Sequence, residues 1–482
     1  MSPVFRSLKE AVSPSNHRVL PSCRVDTHQI EIQPSTVRDL THGNIFRQLI
    51  SLAFPLMAIG FIQMAYNLVN ILWIGRLGSE SVAAIGSVGM LTWMMNAMGL
   101  VSKVGAEISI GQSIGARRLD RASVYASHTT MIALLLGLLF GAYFFLFPRP
   151  YVSFYQLESA IATDAEDYLR IISLGIPPMF LVLNFSGIYI GSGRSSLPFY
   201  FNATGLALNI LLDPLFIFGL GIVPAMGVRG AALATVLSQV VVLLLFVRHL
   251  RGPNGALGGF RFITRPRKRY TLEILKLGVP VAAMNVYFAF INMHLARTAS
   301  LYGGHLGITS QTTGGHIEGI TWYTSTGFST TLGSFSAQNN AAGKIDRSRR
   351  AFHYTLLLMG AIGIAATLAF VFYGSEIFSL FVPEKVAYEA GGEYLLIIGL
   401  SQVFMMLELT TQGMFNGLGR TTPPAFISIL FNTLRIPLAM VFGAQFGVTG
   451  VWWAISITSI FKGIISFTWY LLLQKRLSKK VV

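Results

Sequence analysis

The sequence predicts an all-α integral membrane protein with twelve transmembrane helices in two six-helix repeats, related by a pseudo-two-fold axis along the membrane normal. Three observations predict this. Of 482 residues, 53% are hydrophobic and only 12% charged, where an ordinary soluble protein is about 25% charged. Cutting the chain at its basic and Gly/Pro-rich punctuation leaves twelve apolar stretches, each near the roughly 20 residues that cross a bilayer as a helix. A set of matched blocks occurs twice, in the same order. The same numbers exclude a soluble two-domain enzyme.

Residues 1–46 are interrupted by Arg6, Lys9, Arg18, Arg24 and Asp26, so they lack the apolar core of a secretory signal and are expected to form a cytoplasmic tail. The only cysteine, Cys23, lies there, which precludes an intramolecular disulfide. Helices are then predicted near 47–74, 84–112, 124–147, 166–190, 197–220 and 226–250. They are punctuated by Gly75-Arg76-Leu77-Gly78, by Gly115-Ala116-Arg117-Arg118, by Arg149 with the acidic group Glu158, Asp164, Glu166 and Asp167, and by Gly191 to Pro198. These six form an N-terminal bundle over 47–250. Residues 251–272 are a basic cytoplasmic linker, within a run from Arg248 to Lys276. A second bundle over 273–474 holds helices near 273–301, 307–338, 350–373, 392–416, 423–445 and 447–474, and 475–482 forms a basic C-terminal tail.

The repeat is visible in the residues. Pro55 stands opposite Pro280, and Gln112 with Leu119-Asp120-Arg121-Ala122 is echoed by Gln338 with Ile345-Asp346-Arg347-Ser348. The block Tyr168 to Leu174 returns as Tyr394 to Leu400, and Gly191 to Pro198 returns as Gly417 to Pro424. Asn209 and Pro214 are matched to Asn432 and Pro437. Six is an even number of crossings, so the copies share one membrane orientation, as in transporters whose halves rock about a site near the bilayer midplane.

The formal charge of +16 comes from 36 Lys+Arg against 20 Asp+Glu. The basic residues gather at Arg117, Arg118 and Arg121, in the linker, at Lys344 to Arg350 and at Lys475 to Lys480, which are alternate loops and the C-terminus. This is the positive-inside bias, so both termini are expected in the cytoplasm and the protein in the plasma (inner) membrane. Short scattered loops do not make a nucleic-acid groove. No His-Glu-x-x-His helix, Gly-x-Ser-x-Gly elbow or phosphate-binding P-loop is present, which argues against a membrane enzyme and against ATP drive. No cofactor and no resident metal are expected beyond a coupling ion.

Ionisable residues at bilayer depth are costly and functional by default. They are Lys103, Glu107, Asp213, Arg297, Glu318, Glu408, Arg435 and Lys462. Lys103 and Glu107 are one helical turn apart and can neutralise each other. Arg297 with Glu318, and Glu408 with Arg435, are charge-balanced candidates for pairing. Asp213 differs, because no basic residue lies near it in its own helix. Asn209 precedes it by one turn on the same face, and Pro214 leaves a backbone carbonyl without its usual donor. A carboxyl in that setting can take and release a proton, and the oxygens beside it can equally ligate Na⁺.

The pattern Pro55-Leu56 … Tyr66-Asn67-Leu68-Val69-Asn70 … Gly75-Arg76-Leu77-Gly78 resembles the first helix of the multidrug and toxic compound extrusion (MATE) family. So do Gly115-Ala116-Arg117-Arg118, Asn209 to Gly219 and Gly227 to Thr235, with Gln338-Asn339 … Gly343 and Gly417 to Thr421 in the second half. The resemblance runs from about residue 45 to the C-terminus. It implies a secondary antiporter that exports organic, often cationic, compounds in exchange for H⁺ or Na⁺. It also implies a cation site in the first half made of an Asp on the first helix, an Asn and Asp on the fifth and a Thr on the sixth. Asn209, Asp213 and Thr235 match the last three, with Tyr66 beside them; the first is replaced by Asn70, which can ligate through its carbonyl oxygen and cannot titrate. Some relatives use a Glu on the seventh helix, and none occurs between Gly278 and Tyr302, so Glu318 and Glu408 are the acidic candidates of the second half.

Seventeen Met, 35 Phe and six Trp offer adaptable contacts for small organic substrates, with Tyr66 and Trp322 as candidate lining residues. The expected partners are those substrates and the lipid bilayer, and the chain is expected to act as a monomer. The alternative is a lipid-linked saccharide flippase of the same superfamily, a role that suits a strongly basic cavity; few unpaired Lys or Arg are expected at membrane depth here.

Overall fold

The computed structural model describes residues 37–219 and 223–478. Most of the expected N-terminal tail, Cys23 included, and the last four residues lie outside the described residues. Regular structure among the described residues is helical. Asn44 starts α1 (Ile45–Gly75), its side chain accepting from the Arg47 N–H. Then follow α2 (Ser79–Gly115), α3 (Leu119–Leu146), α4 (Ser159–Gly191), α5 (Ser196–Phe218) and α6 (Gly227–Arg251). The helix Lys268–Ala341 has 74 residues, which at 1.5 Å per residue far exceeds the roughly 30 Å apolar core of a bilayer. It therefore contains two crossings, α7 and α8, on either side of Gly304, whose φ of 57° and ψ of −146° break the helix. Gly307 closes that turn against the Ala299 carbonyl. The set is completed by α9 (Ile345–Ser379), α10 (Lys385–Gly399 and Gln402–Gly417, bent by 49°), α11 (Thr422–Phe446) and α12 (Val448–Ser478).

Among the described residues, ten helices are long and apolar enough to cross a membrane, the bent pair α10 adds another span, and Gly304 divides one of the ten. The protein is thus a multi-pass, all-α membrane protein. Several helices begin earlier than their apolar runs: α2 starts at Ser79 and α4 at Ser159, because backbone hydrogen bonding continues through polar turns that hydrophobicity alone does not mark.

One matched block is corrected by the fold. In α5 the buried residues are Pro198, Gly205, Asn209, Asp213 and Ile217; in α11 Pro424, Asn432, Arg435, Ala439 and Gly443 are all buried, and the two helices start at the matched positions Ser196 and Thr422. Both helices are continuous, so the register set by Pro198 and Pro424 carries through. It places Arg435 opposite Asn209, and Ala439 opposite Asp213. The match of Asn209 to Asn432 was a slip of one helical turn, which preserves an apparent motif while rotating the face by about 60° away from register.

Helices of the two halves approach closely on the side that carries both described ends, where Leu40 packs in one cluster with Phe335, Phe415, Tyr470 and Leu473. A Cβ at Gly278 of α7 would lie 2.0 Å from the Val101 carbonyl oxygen of α2, and one at Gly115 would lie 2.0 Å from the Gln338 carbonyl oxygen of α8. Only glycine permits such contact. Ser334 donates to the Ile190 carbonyl at 2.7 Å, and Gln338 Nε2 to the Gly191 carbonyl at 3.1 Å. The segment before α1 ties this seam together. The Leu40 N–H donates to Gln338 Oε1 at 3.0 Å, and the Arg38 N–H to the Ser192 carbonyl at 3.0 Å. Arg347 donates to the carbonyls of Leu40, His42 and Gly43 and to Gln48 Oε1. Among the described residues, the hydrogen bonds between halves are confined to this side.

A candidate cation site in the first half

The site begins with the buried face of α5. Asn209 and Asp213 are separated by one helical turn and are 0% and 1% exposed. Asn209 Nδ2 donates to Asp213 Oδ1 at 3.1 Å. That bond uses one oxygen of the carboxylate; Asp213 Oδ2 and Asn209 Oδ1 are buried and receive no hydrogen bond from the described residues. Pro214 has no N–H to give the Ile210 carbonyl, so α5 carries a backbone oxygen without its helical donor one residue after Asn209. No described Lys or Arg forms an ion pair with Asp213.

Other helices bring neutral oxygens to the same place. Tyr66 of α1 donates through its hydroxyl to Thr235 Oγ1 of α6 at 2.8 Å, and Asn70 contacts the same hydroxyl from the next turn of α1. Asp213 lies within electrostatic reach of the hydroxyls of Tyr66 and Tyr168. The structure therefore brings together Tyr66, Asn70, Asn209, Asp213 and Thr235, and adds Tyr168 of α4. In the sequence Tyr168 stands out only through the repeated block Tyr168 to Leu174, and nothing local marks its hydroxyl as facing Asp213. One carboxylate among neutral oxygens suits a proton or a monovalent hard cation, since orphaned buried acceptors are stabilised by whatever supplies positive charge. Among the described residues no group of three or more His, Cys, Asp or Glu could hold a metal ion, so the arrangement offers a single-carboxylate site.

The second half is built differently. Glu408 Oε2 of α10 meets Lys462 Nζ of α12 at 3.1 Å, and Glu408 Oε1 accepts from Ser428 Oγ at 2.9 Å. Arg435 of α11 donates to Thr458 Oγ1 at 2.8 Å and to Ser459 Oγ at 2.7 Å. Glu318 of α8 accepts from Gln402 Nε2 at 3.2 Å, and Gln402 in turn accepts from Thr321. Two expected pairings are thereby corrected. Glu408 pairs with Lys462 and reaches Arg435 only electrostatically, while Arg297 is exposed and Glu318 is held by Gln402. Charge balance within a sequence does not specify which helices face each other.

Lys103 and Glu107 interact electrostatically on α2 without a direct ion pair. Glu107 is buried, and its Oε1 faces Gly333 of α8 across the seam between halves. Trp322 is half-buried against a methionine-rich group that contains Met57, Met359, Met405 and Met406, and its ring meets Tyr323 edge-on at 5.2 Å. Tyr323 packs over Gly60 of α1, so this aromatic pair sits where α1 of one half meets α8 of the other.

Bundled spans with polar sites buried inside each half, meeting across a seam of glycines, define a polytopic membrane transporter. The chain belongs to the MatE family, whose profile matches residues 55–215 and again 280–441. It is a transporter and not an enzyme. It is 27% identical to the probable multidrug resistance protein NorM of Thermotoga maritima, covering 89% of this chain and 92% of that one. It is 22% identical to the multidrug export protein MepA of Staphylococcus aureus, covering 90% and 95%. It also shares its fold with a solved multidrug resistance MATE family transporter in an outward-facing conformation, with a TM-score of 0.84 at 23% identity over 94% of this chain and 99% of that one.

Proposed function

We propose that the protein is a secondary active antiporter that exports organic, often cationic, compounds in exchange for H⁺ or Na⁺. Asp213 is the exchangeable carboxylate, with Asn209, Thr235, Tyr66 and Asn70 as its neutral neighbours. The observation that carries this is the buried Asp213 carboxylate, which has one hydrogen bond, a second oxygen with no donor among the described residues and no ion-pair partner. An uncompensated carboxylate at bilayer depth is costly unless a proton or cation binds it during the working cycle. Asn70 cannot titrate, so proton exchange at this cluster falls to Asp213 alone.

Alternating access supplies the coupling. In this reading the six-helix bundles 47–250 and 273–474, joined by the linker 251–272, rock about the interface between them, and the arrangement described has its inter-half hydrogen bonds on the side of the termini. The positive-inside distribution supports a cytoplasmic assignment for that side and a place in the plasma membrane, so the arrangement described corresponds to the state closed toward the cytoplasm. Cation entry at Asp213 then favours the return of the halves, and Tyr66 and Trp322 offer aromatic faces to an organic cation. The multidrug names of the relatives NorM and MepA support this substrate class. A flippase is not favoured: the buried cations Arg435 and Lys462 are engaged by Thr458, Ser459 and Glu408. Gradient-driven efflux in proteoliposomes tests the proposal, because full activity of Asp213→Asn under imposed pH and Na⁺ gradients would remove its basis.

A further inference from the structure

The two halves repeat one helical plan and fill its centre with opposite chemistry. On the first-half side stand Tyr66, Asn70, Asn209, Asp213 and Thr235. The register of α1 with α7, set by Pro55 and Pro280, places Ile291 opposite Tyr66 and Leu295 opposite Asn70. The register of α5 with α11 places Arg435 opposite Asn209 and Ala439 opposite Asp213. The register of α6 with α12, set by Gly227-Val228 … Gly230 and Gly447-Val448 … Gly450, places Ile455 opposite Thr235, and the buried positions of 231–240 recur in 451–460. Ile291, Leu295, Ala439 and Ile455 belong to one hydrophobic cluster. Four of the five counterpart positions are therefore aliphatic, and the fifth, opposite Asn209, is Arg435.

The charges of the second half sit around that apolar centre. Glu408 and Lys462 form a direct pair whose side chains are 10% and 9% exposed. Ser428 occupies the other carboxylate oxygen, Arg435 is anchored by Thr458 and Ser459, and Glu318 is held by Gln402. Arg435 and Lys462 each feel Glu408 most strongly and Glu318 less, so two cations face two carboxylates. Asp213 has no such partner.

We propose that the second half carries its cation covalently: the Lys462 ammonium fills the position that an exchangeable H⁺ or monovalent cation would take at Glu408, with Arg435 as a second counter-charge, out of direct contact, shared by Glu408 and Glu318. This half then binds no ion during the cycle and moves as a permanently neutralised body, and removing Lys462 uncovers a dormant cation site formed by Glu408 and Ser428. The comparison between halves rests on Asp213 being the exchangeable site, and the test reads the two carboxylates separately.

The experiment uses the full chain in proteoliposomes and dicyclohexylcarbodiimide, which modifies protonated carboxyls in apolar surroundings, with site-resolved peptide mass spectrometry. In the wild type the expected result is labelling at Asp213 and none at Glu408. In Lys462→Met, Glu408 becomes labelled, and raised pH or added Na⁺ protects it. Labelling of Glu408 in the wild type, or a folded Lys462→Met in which Glu408 stays unlabelled, overturns the proposal. An unlabelled Asp213 instead defeats the reading of the first-half site and leaves the Glu408 result to be judged on its own. Glu408→Gln/Lys462→Met removes both charges, a change that is often tolerated for buried pairs, and covers the case in which Lys462→Met does not fold. This double variant is expected to keep gradient-driven transport within about threefold of the wild type, with an unchanged cation stoichiometry; loss of one coupled cation overturns the proposal.

Discussion

Replacing Gly278 by Ala adds one methyl group to the seam between the halves. The new Cβ would lie 2.0 Å from the Val101 carbonyl oxygen, where even a favourable C–H···O contact needs about 3.3 Å. The obstacle is backbone on both sides, so no rotamer change relieves it, and α2 and α7 must part by roughly 1 Å. Overpacking of this kind costs about 1–3 kcal/mol. In the proposed alternation the cost falls only on the arrangement in which the terminal side is closed, so the balance between closed and open arrangements is expected to shift by roughly 5- to 150-fold toward opening. The assay is electron spin–spin distance measurement in a Cys23→Ser background, with labels at Arg118→Cys after α2 and Arg350→Cys in α9, both exposed positions. The distance distribution is expected to broaden toward longer separations in Gly278→Ala. Gly360→Ala is the control, because a Cβ there meets no atom within 4 Å. A folded Gly278→Ala protein with the wild-type distribution would refute the reasoning that this contact holds the closed side together.

Three further outcomes follow from named contacts. Arg347→Ala removes the donor to the Leu40, His42 and Gly43 carbonyls; amide hydrogen exchange of residues 38–44 is expected to accelerate by at least tenfold, and an unchanged rate would show that the strap is held by other means. Tyr66→Phe deletes the 2.8 Å bond to Thr235 and should weaken the apparent affinity for the coupling cation by roughly 3- to 10-fold, on the order of one hydrogen bond, measured from the cation dependence of efflux; no change would place Tyr66 outside the site. Asn70→Asp puts a second carboxylate near Asp213, so ion preference or the number of cations exchanged per substrate should change in a reversal-potential measurement. An identical preference and stoichiometry would exclude position 70 from the coordination sphere.

Much of the fold was legible because its determinants are local. Apolar runs bounded by Gly75 to Gly78, Gly115 to Arg118 and Gly191 to Pro198 mark helices through burial and turn chemistry, and the Asn209–Asp213 contact is a one-turn spacing within one helix. The family resemblance added the residues on other helices, Tyr66 and Thr235. What the sequence concealed depends on which faces meet. Glu408 finds Lys462 on α12 because of how α10 and α12 are rotated, and no count of charges contains that angle. The match of Asn209 to Asn432 shows the same limit: shared residue types suggest it, whereas the unbroken helices that start at Ser196 and Thr422 put Arg435 in that place. The separate apolar runs 273–301 and 307–338 predict two helices, and Gly304 breaks the backbone between them.

The proposed exchange depends on Asp213 as its carboxylate. The most direct measurement is efflux of a fluorescent organic cation from proteoliposomes containing the full chain, driven separately by a pH gradient and by a Na⁺ gradient, for the wild type and Asp213→Asn. The wild type should respond to at least one gradient, and Asp213→Asn, which removes the charge and keeps the shape, should lose gradient-driven efflux by more than about tenfold, the loss expected for an essential charged group at bilayer depth. Efflux by Asp213→Asn at the wild-type rate, with the same gradient dependence, would contradict it.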